Sequence, residues 1–359
     1  MKKYTKIGLS ALCGSLASIS AVNAGSLEVT GSAVATYTTL GGQVTGNPIG
    51  MATGLTFTGN GELDGGQTFS VAIAHTNKAA YSSANITLNT NSAGTFKLSS
   101  AEGGAGIGGY DDNMPRAWEE VWDTGIATNA NFQKGVSGST NISWKSPKVA
   151  GTSIQIAYTP ANDGSSNAKK KTSGLDSDFG AGWDIVLDTG TADGAINMFV
   201  GGSRTELAKS KTFRDLSGDH EEAVVGLQFK LGPVALGGQI SGERLRTRAL
   251  NTAEYYGNTS WGVAFNVNDS LSVSYSEARH LQTKTHKANN AGGKILGWKT
   301  QNFNEYTPKS WMRGDSIQVA YTIGGIGLKY AKTRYDNTKF SFDAKIPRES
   351  QIVAISLAF

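Results

Sequence analysis

Beyond residue 24 the sequence holds no cysteine; its one cysteine, Cys13, precedes that point. Disulfides are therefore excluded as a source of stability. Seven prolines against 46 glycines exclude a collagen repeat and a proline-rich linker. Charge of one sign is also lacking: 33 Lys and Arg face 29 Asp and Glu for a net +4. Three of those cations, Lys2, Lys3 and Lys6, lie in a leading segment expected to be removed, which leaves about +1. A near-neutral chain has no basic field to displace counterions from nucleic acid, so that partner class is excluded. After Ala24 no 18 apolar residues run together, which excludes membrane helices but not membrane strands. No H-E-x-x-H, G-x-S-x-G or phosphate-loop Lys-Ser/Thr motif occurs, so no enzyme class announces itself.

What is present begins with the leading segment. Lys2, Lys3 and Lys6 precede an apolar run from Ile7 to Ile19, and Val22 and Ala24 occupy the small-residue positions of a cleavage site. The expectation is a secretory signal over 1–24 and a mature domain over 25–359. The apolar run is too short to anchor the chain, since a span needs about 20 residues. Leu12 before Cys13 does not suit a lipoprotein signal.

In the mature chain, apolar residues recur at every second position. Val353, Ile355, Leu357 and Phe359 set the rhythm, and Ile317, Val319, Tyr321 and Ile323 or Trp261, Val263, Phe265 and Val267 repeat it. Sixteen such segments can be counted, the alternation of half-exposed strands. Their connections alternate strictly. Short turns such as 64–66, 232–233 and 324–325 carry Gly, Asn, Asp and Pro, whereas long polar stretches fall at 41–51, 103–138, 159–180 and 280–312. One end of the strand array is trim and the other elaborated, and an even strand count allows an up-and-down sheet to close. The second phase holds Thr56, Thr58, Ser70, Ser143, Gln239, Ser274, Gln318 and Lys329, which suit a wet lumen in a cylinder too wide for side chains to fill. Aromatics near strand ends, among them Tyr37, Trp144, Trp183, Tyr275 and Tyr330, suit an interfacial girdle. The fold class expected is all-β: a 16-stranded antiparallel transmembrane barrel.

The opening strand Leu27-Glu28-Val29-Thr30-Gly31, the run from Gly54 to Gly66 and a last strand ending in Phe359 resemble the Gram-negative general porins, more closely their alphaproteobacterial branch. That resemblance implies a homotrimeric outer-membrane channel in contact with lipid and lipopolysaccharide. It also implies that Phe359 is an assembly signal, and that the third long loop, 103–138, folds inward to narrow the pore.

The loop's residues suit that role on their own terms. Asp111, Asp112, Glu119, Glu120 and Asp123 concentrate carboxylates, with Arg116 among them, while Trp118 and Trp122 could pack on a wall. Pro115 at a first helical position predicts a short helix over 116–122. Carboxylates at a narrowing enrich cations. Lys97, Lys145, Lys329 and Arg348 lie out of step with the apolar phase and are candidate inward cations. Arg244, Arg246 and Arg248 recur at period two, for an anion-attracting vestibule or for lipopolysaccharide phosphate. Calcium could sit at Asp111 and Asp112, though no spaced binding loop accompanies them; no other cofactor is expected. His75, His220, His280 and His286 fall at strand ends or in loops and read as surface residues. The function expected is passive diffusion of small hydrophilic solutes and ions, without covalent chemistry. The alternatives are a substrate-specific channel and a barrel that binds or adheres through its long loops.

Overall fold

The computed structural model describes residues 26–41, 46–77, 82–162, 179–207, 219–245, 253–284, 309–341 and 347–358. The expected signal segment 1–24, Arg246, Arg248, His286 and Phe359 lie outside the described residues.

Sixteen strands run in chain order: β1 (Leu27–Gly41), β2 (Ile49–Glu62), β3 (Thr68–Thr76), β4 (Ser83–Asn89), β5 (Thr95–Ser100), β6 (Asn141–Lys145), β7 (Thr152–Thr159) and β8 (Phe179–Gly190) form the first half. β9 (Ile196–Leu207), β10 (His220–Leu231), β11 (Val234–Arg244), β12 (Ala253–Asn266), β13 (Leu271–Lys284), β14 (Lys309–Ile323), β15 (Ile326–Asp336) and β16 (Pro347–Ala358) form the second. Each pairs antiparallel with its sequence neighbour, and β1 pairs β16 from Ser32↔Ala358 to Gly41↔Glu349, so the sheet closes without an edge.

Register fixes which phase faces out. Ile355 lies between Ala35 on β1 and Leu328 on β15, and Leu328 lies opposite Tyr321, which lies opposite Leu271; one apolar row thus runs from strand to strand. These residues point away from the interior. Ile317 is 55% exposed while its neighbour Gln318 is fully buried, and Val353 is 49% exposed beside a fully buried Ala354. A soluble barrel would have the opposite arrangement, so the apolar phase is a lipid-facing surface.

The apolar clusters of the interior lie between the inner wall and the folded-in loop, not at a barrel centre. One joins Val121 and Ile126 of the loop to Ala278, Met312, Tyr335 and Phe340; a second joins Ile107 and Tyr110 to Val186, Phe199 and Val224.

Two expectations are corrected. Residues 116–122 form no helix; the loop's helical turns are 3-10 turns at Gly106–Tyr110 and Val121–Asp123. Glu120 is extended, with φ −65 and ψ 153, in the middle of that span, and so interrupts it. His280 belongs to β13 and is only 1% exposed, not a loop surface residue.

Candidate functional site: the loop folded into the barrel

The loop between β5 and β6 enters the lumen and returns, with both roots fastened to one side chain. Asp184 on β8 accepts the N–H of Ile107 at 3.1 Å and of Val136 at 3.2 Å through the same Oδ2. Gly106 and Gly135 precede those two residues, both at φ +57, and a Cβ on either would collide with the Asp184 carboxylate. Only glycine combines that backbone conformation with so close an approach.

From this clasp the outgoing limb crosses the second half of the barrel. Tyr110 packs on Phe199 with ring centroids 4.8 Å apart and donates its hydroxyl to Asp188 at 3.2 Å. Gln239 on β11 donates to the Asp111 carbonyl and Gln228 on β10 to the Asn113 carbonyl. Ser274 on β13 accepts the Ala117 N–H at 2.9 Å. Gln318 on β14 accepts the N–H groups of Trp118 and Glu119, both at 3.0 Å, and donates to the Glu119 carbonyl. Thr124 meets Thr333 on β15, and its carbonyl accepts from Ser350 on β16 at 2.6 Å. The wall thus supplies side-chain partners to a backbone that forms neither helix nor sheet there.

The limb then doubles back. Trp122 stacks on Phe132 at 4.2 Å, and both meet the edge of His280, at 5.9 and 5.4 Å. The imidazole bonds Asn258 Oδ1 at 2.7 Å and the Tyr335 hydroxyl at 3.1 Å, which makes it a pillar for the aromatic cluster. Glu222 on β10 accepts the N–H groups of Lys134 and Gly135, and Glu243 on β11 accepts from the Asn131 side chain.

Every one of these anchors lies on β8 to β16. Their inward residues are buried under the loop, whereas inward residues of β1 to β5 such as Thr36, Thr56, Thr58, Ser70, Asn85 and Thr87 remain part-exposed, with Ser99 at the loop root buried. The open passage therefore lies between the loop and the β1–β5 wall.

The expected acidic residues do gather on this loop. Arg116 pairs with Asp112 at 3.0 Å and with Glu120, so that one guanidinium offsets two carboxylates. Glu119, Glu120 and Asp123 bring their oxygens within 4.8 Å of one another. Burial, aided by Asp112, pushes the Asp111 carboxyl up to about 6. Burial also raises Glu119, Glu120 and Asp123, with Asp123 adding to the shift at Glu119. Asp111 and Asp112 acquire no third ligand: among the described residues, the groups of three ligating side chains are Glu119, Glu120, Asp123 and His220, Glu222, Glu243.

The four expected cations are not gathered. Lys97 is engaged at the loop root, 2.7 Å from Glu102, and Lys145 is exposed at the trim end of β6. Lys329 lies 5.8 Å above the Trp118 ring, on the side where the loop rests. Arg348 is half-buried opposite Tyr335 on the inward phase of β16. Arg244 ends β11. Sequence reasoning missed Asp184, Glu222 and Gln318. Their only signal was a polar residue on the inward phase, which hydrated lumen residues share.

A family model described as Gram-negative porin matches residues 8–295. No curated protein matches the chain. Among solved structures, an anion-selective porin from Comamonas acidovorans is 12% identical with a TM-score of 0.60, covering 93% of this chain and 100% of its own. Salmonella typhi OmpF in complex with daunomycin is 14% identical with a TM-score of 0.62, covering 94% and 98%. A mutant porin of Rh. blastica is 12% identical with a TM-score of 0.55, covering 93% and 100%. At these identities the likeness is one of fold.

Proposed function

Since the chain belongs to the Gram-negative porin family and is an outer-membrane porin, we propose that solutes are sorted where the loop 103–138 faces the β1–β5 wall, and that this passage favours cations. The observation that carries the reading is the charge left on the loop. Asp111, Asp112, Glu119, Glu120 and Asp123 outnumber the loop's own cations, Arg116 and Lys134. Arg116 pairs with Asp112 and Glu120 and also acts on Asp111 and Glu119, which Lys329 helps to offset, and the balance stays negative. The part-exposed wall opposite bears hydroxyls and amides, with Lys97 already tied to Glu102. Low-dielectric walls focus such a field on the solute. Diffusion here is passive and needs neither a bound cofactor nor a covalent step.

Planar-bilayer recording tests this. In a KCl gradient the reversal potential is expected to report cation preference, and to move towards anions when Asp111, Glu119 and Asp123 are replaced by Asn, Gln and Asn. An unchanged potential would remove these residues from the constriction.

Two partners follow from the outer surface. The strands β4, β5 and β6 have 7, 6 and 5 residues, fewer than the roughly 9 to 11 a tilted strand needs to span the bilayer. Yet Ile86, Phe96, Leu98 and Ile142 point outward from them. This low apolar wall supports contact with further copies of the chain, in a homotrimer. On the opposite side, the outward faces of β13 to β15 carry Arg279 and Arg313, which share Glu277, and Arg334, 3.6 Å from Asp336, each more than half exposed, so that three guanidinium groups face two carboxylates towards the long-loop end. Guanidinium groups at that level suit lipopolysaccharide phosphates.

A further inference from the structure

His220, Glu222 and Glu243 meet on the inner face of β10 and β11, beneath the returning limb of the loop. The barrel pleat brings them together: His220 and Glu222 are two residues apart on one strand, and Glu222 is the register partner of Glu243 on the next. The His220 Nε2 lies 2.9 Å from Glu243 Oε1 and 3.7 Å from Glu222 Oε1. All three side chains are well buried, at 14%, 3% and 8% exposure.

Three features distinguish this group from an ordinary ion pair. First, the spacing fits a common centre, because tetrahedral ligands on bonds of about 2.0–2.1 Å stand roughly 3.3 Å apart. Second, both carboxylates are already oriented from behind: Glu222 by the Lys134 and Gly135 N–H groups, Glu243 by the Asn131 amide. Such outer partners fix a ligating carboxylate in place. Third, two carboxylates lie buried together, and among the described residues no Lys or Arg forms an ion pair with either. One imidazole proton offsets only one of the two charges, whereas a divalent ion offsets both.

We propose that His220, Glu222 and Glu243 form a site for a divalent transition ion of the zinc type, and that the bound ion fixes in place the two wall carboxylates from which the returning limb of the loop hangs. The imidazole selects such an ion over calcium or magnesium, which prefer oxygen alone. Water completes the tetrahedron. Ligation needs the unprotonated imidazole, so binding competes with protons, and it supports loop docking because the groups that orient the carboxylates belong to the loop. This inference needs the docked loop but not the cation preference proposed above, and its test reads metal binding rather than current.

The folded mature protein in detergent, stripped with EDTA, is titrated with ZnCl2 by calorimetry in two buffers of different ionisation heat. One Zn2+ per chain with proton release is expected. His220→Gln and Glu243→Gln are expected to weaken binding about tenfold or more. Zn2+ should also protect residues 103–138 from protease in the parent chain and not in the variants. Unchanged affinity in both variants, a stoichiometry well below one, or equal binding of CaCl2 would overturn the proposal. Should the variants fail to fold, Co2+ added to the stripped parent decides: intense tetrahedral absorption bands support the site, and weak octahedral bands refute it.

Discussion

At the scale of single residues, the loop and the wall that seats it are an arrangement of carboxylates doing different work. Asp184 is a fastening, Glu120 a partner for Arg116, and Asp111 a half-buried charge whose ionisation falls in an accessible range. Because burial holds Asp111 up to about 6, it is charged above that pH and neutral below it. Acidifying a bilayer from pH 8 to pH 5 should therefore lower cation preference, with Glu119 and Asp123 adding to the change in the same direction. The reversal potential is the readout. An Asp111→Asn variant should show a smaller pH response than the parent, and an equal response would place Asp111 outside the conducting path. The sign for loop docking is opposite. A carboxyl raised above its ordinary 3.8 favours the docked state most when protonated, and that contribution fades as pH rises through about 6.

At the scale of elements, the sixteen strands are legible in the sequence because one face of each meets lipid and the other water, which gives a period of two no other element imitates. The reading fails where that contrast ends. β13 continues to Lys284 and β14 begins at Lys309, above the apolar band, where Arg279 and Arg313 replace the outward hydrophobics, so the alternation alone places His280 in a loop. The constriction loop was recognisable by its tryptophans and carboxylates, but its backbone was not. Pro115 and the residues after it suit a helix locally, yet Gln318 takes the Glu119 carbonyl as well as two N–H groups, and Glu120 is extended at φ −65 and ψ 153. Long-range partners of this kind leave no trace in local spacing. Gln318→Leu should accordingly orphan two N–H groups and one carbonyl, at about 1–3 kcal/mol each. The expected result is faster protease cleavage within 103–138 and a noisier open channel, while heat-resistant migration of the barrel is kept. Cleavage at the parent rate would show that Gln318 is dispensable to docking.

At the scale of the whole molecule, wall height is uneven: β14 has 15 residues and β6 has 5. The low side cannot match the bilayer alone, so the partner copies proposed there would complete the hydrophobic belt. Phe96→Asp with Ile142→Asp, both outward-facing on that side, should convert the assembly to single chains in detergent, as read by cross-linking and light scattering. An intact trimer in the double variant would move the interface elsewhere on the barrel.

The one-sided fastening of the loop also shapes how a solute travels. Because the hydrogen bonds that seat the loop come mostly from β8 to β16, the doorway proposed along the facing wall is off-centre. A permeating molecule skirts a threonine ledge on one flank and an acidic overhang on the other, so an elongated, polarised solute should turn edgewise before it enters.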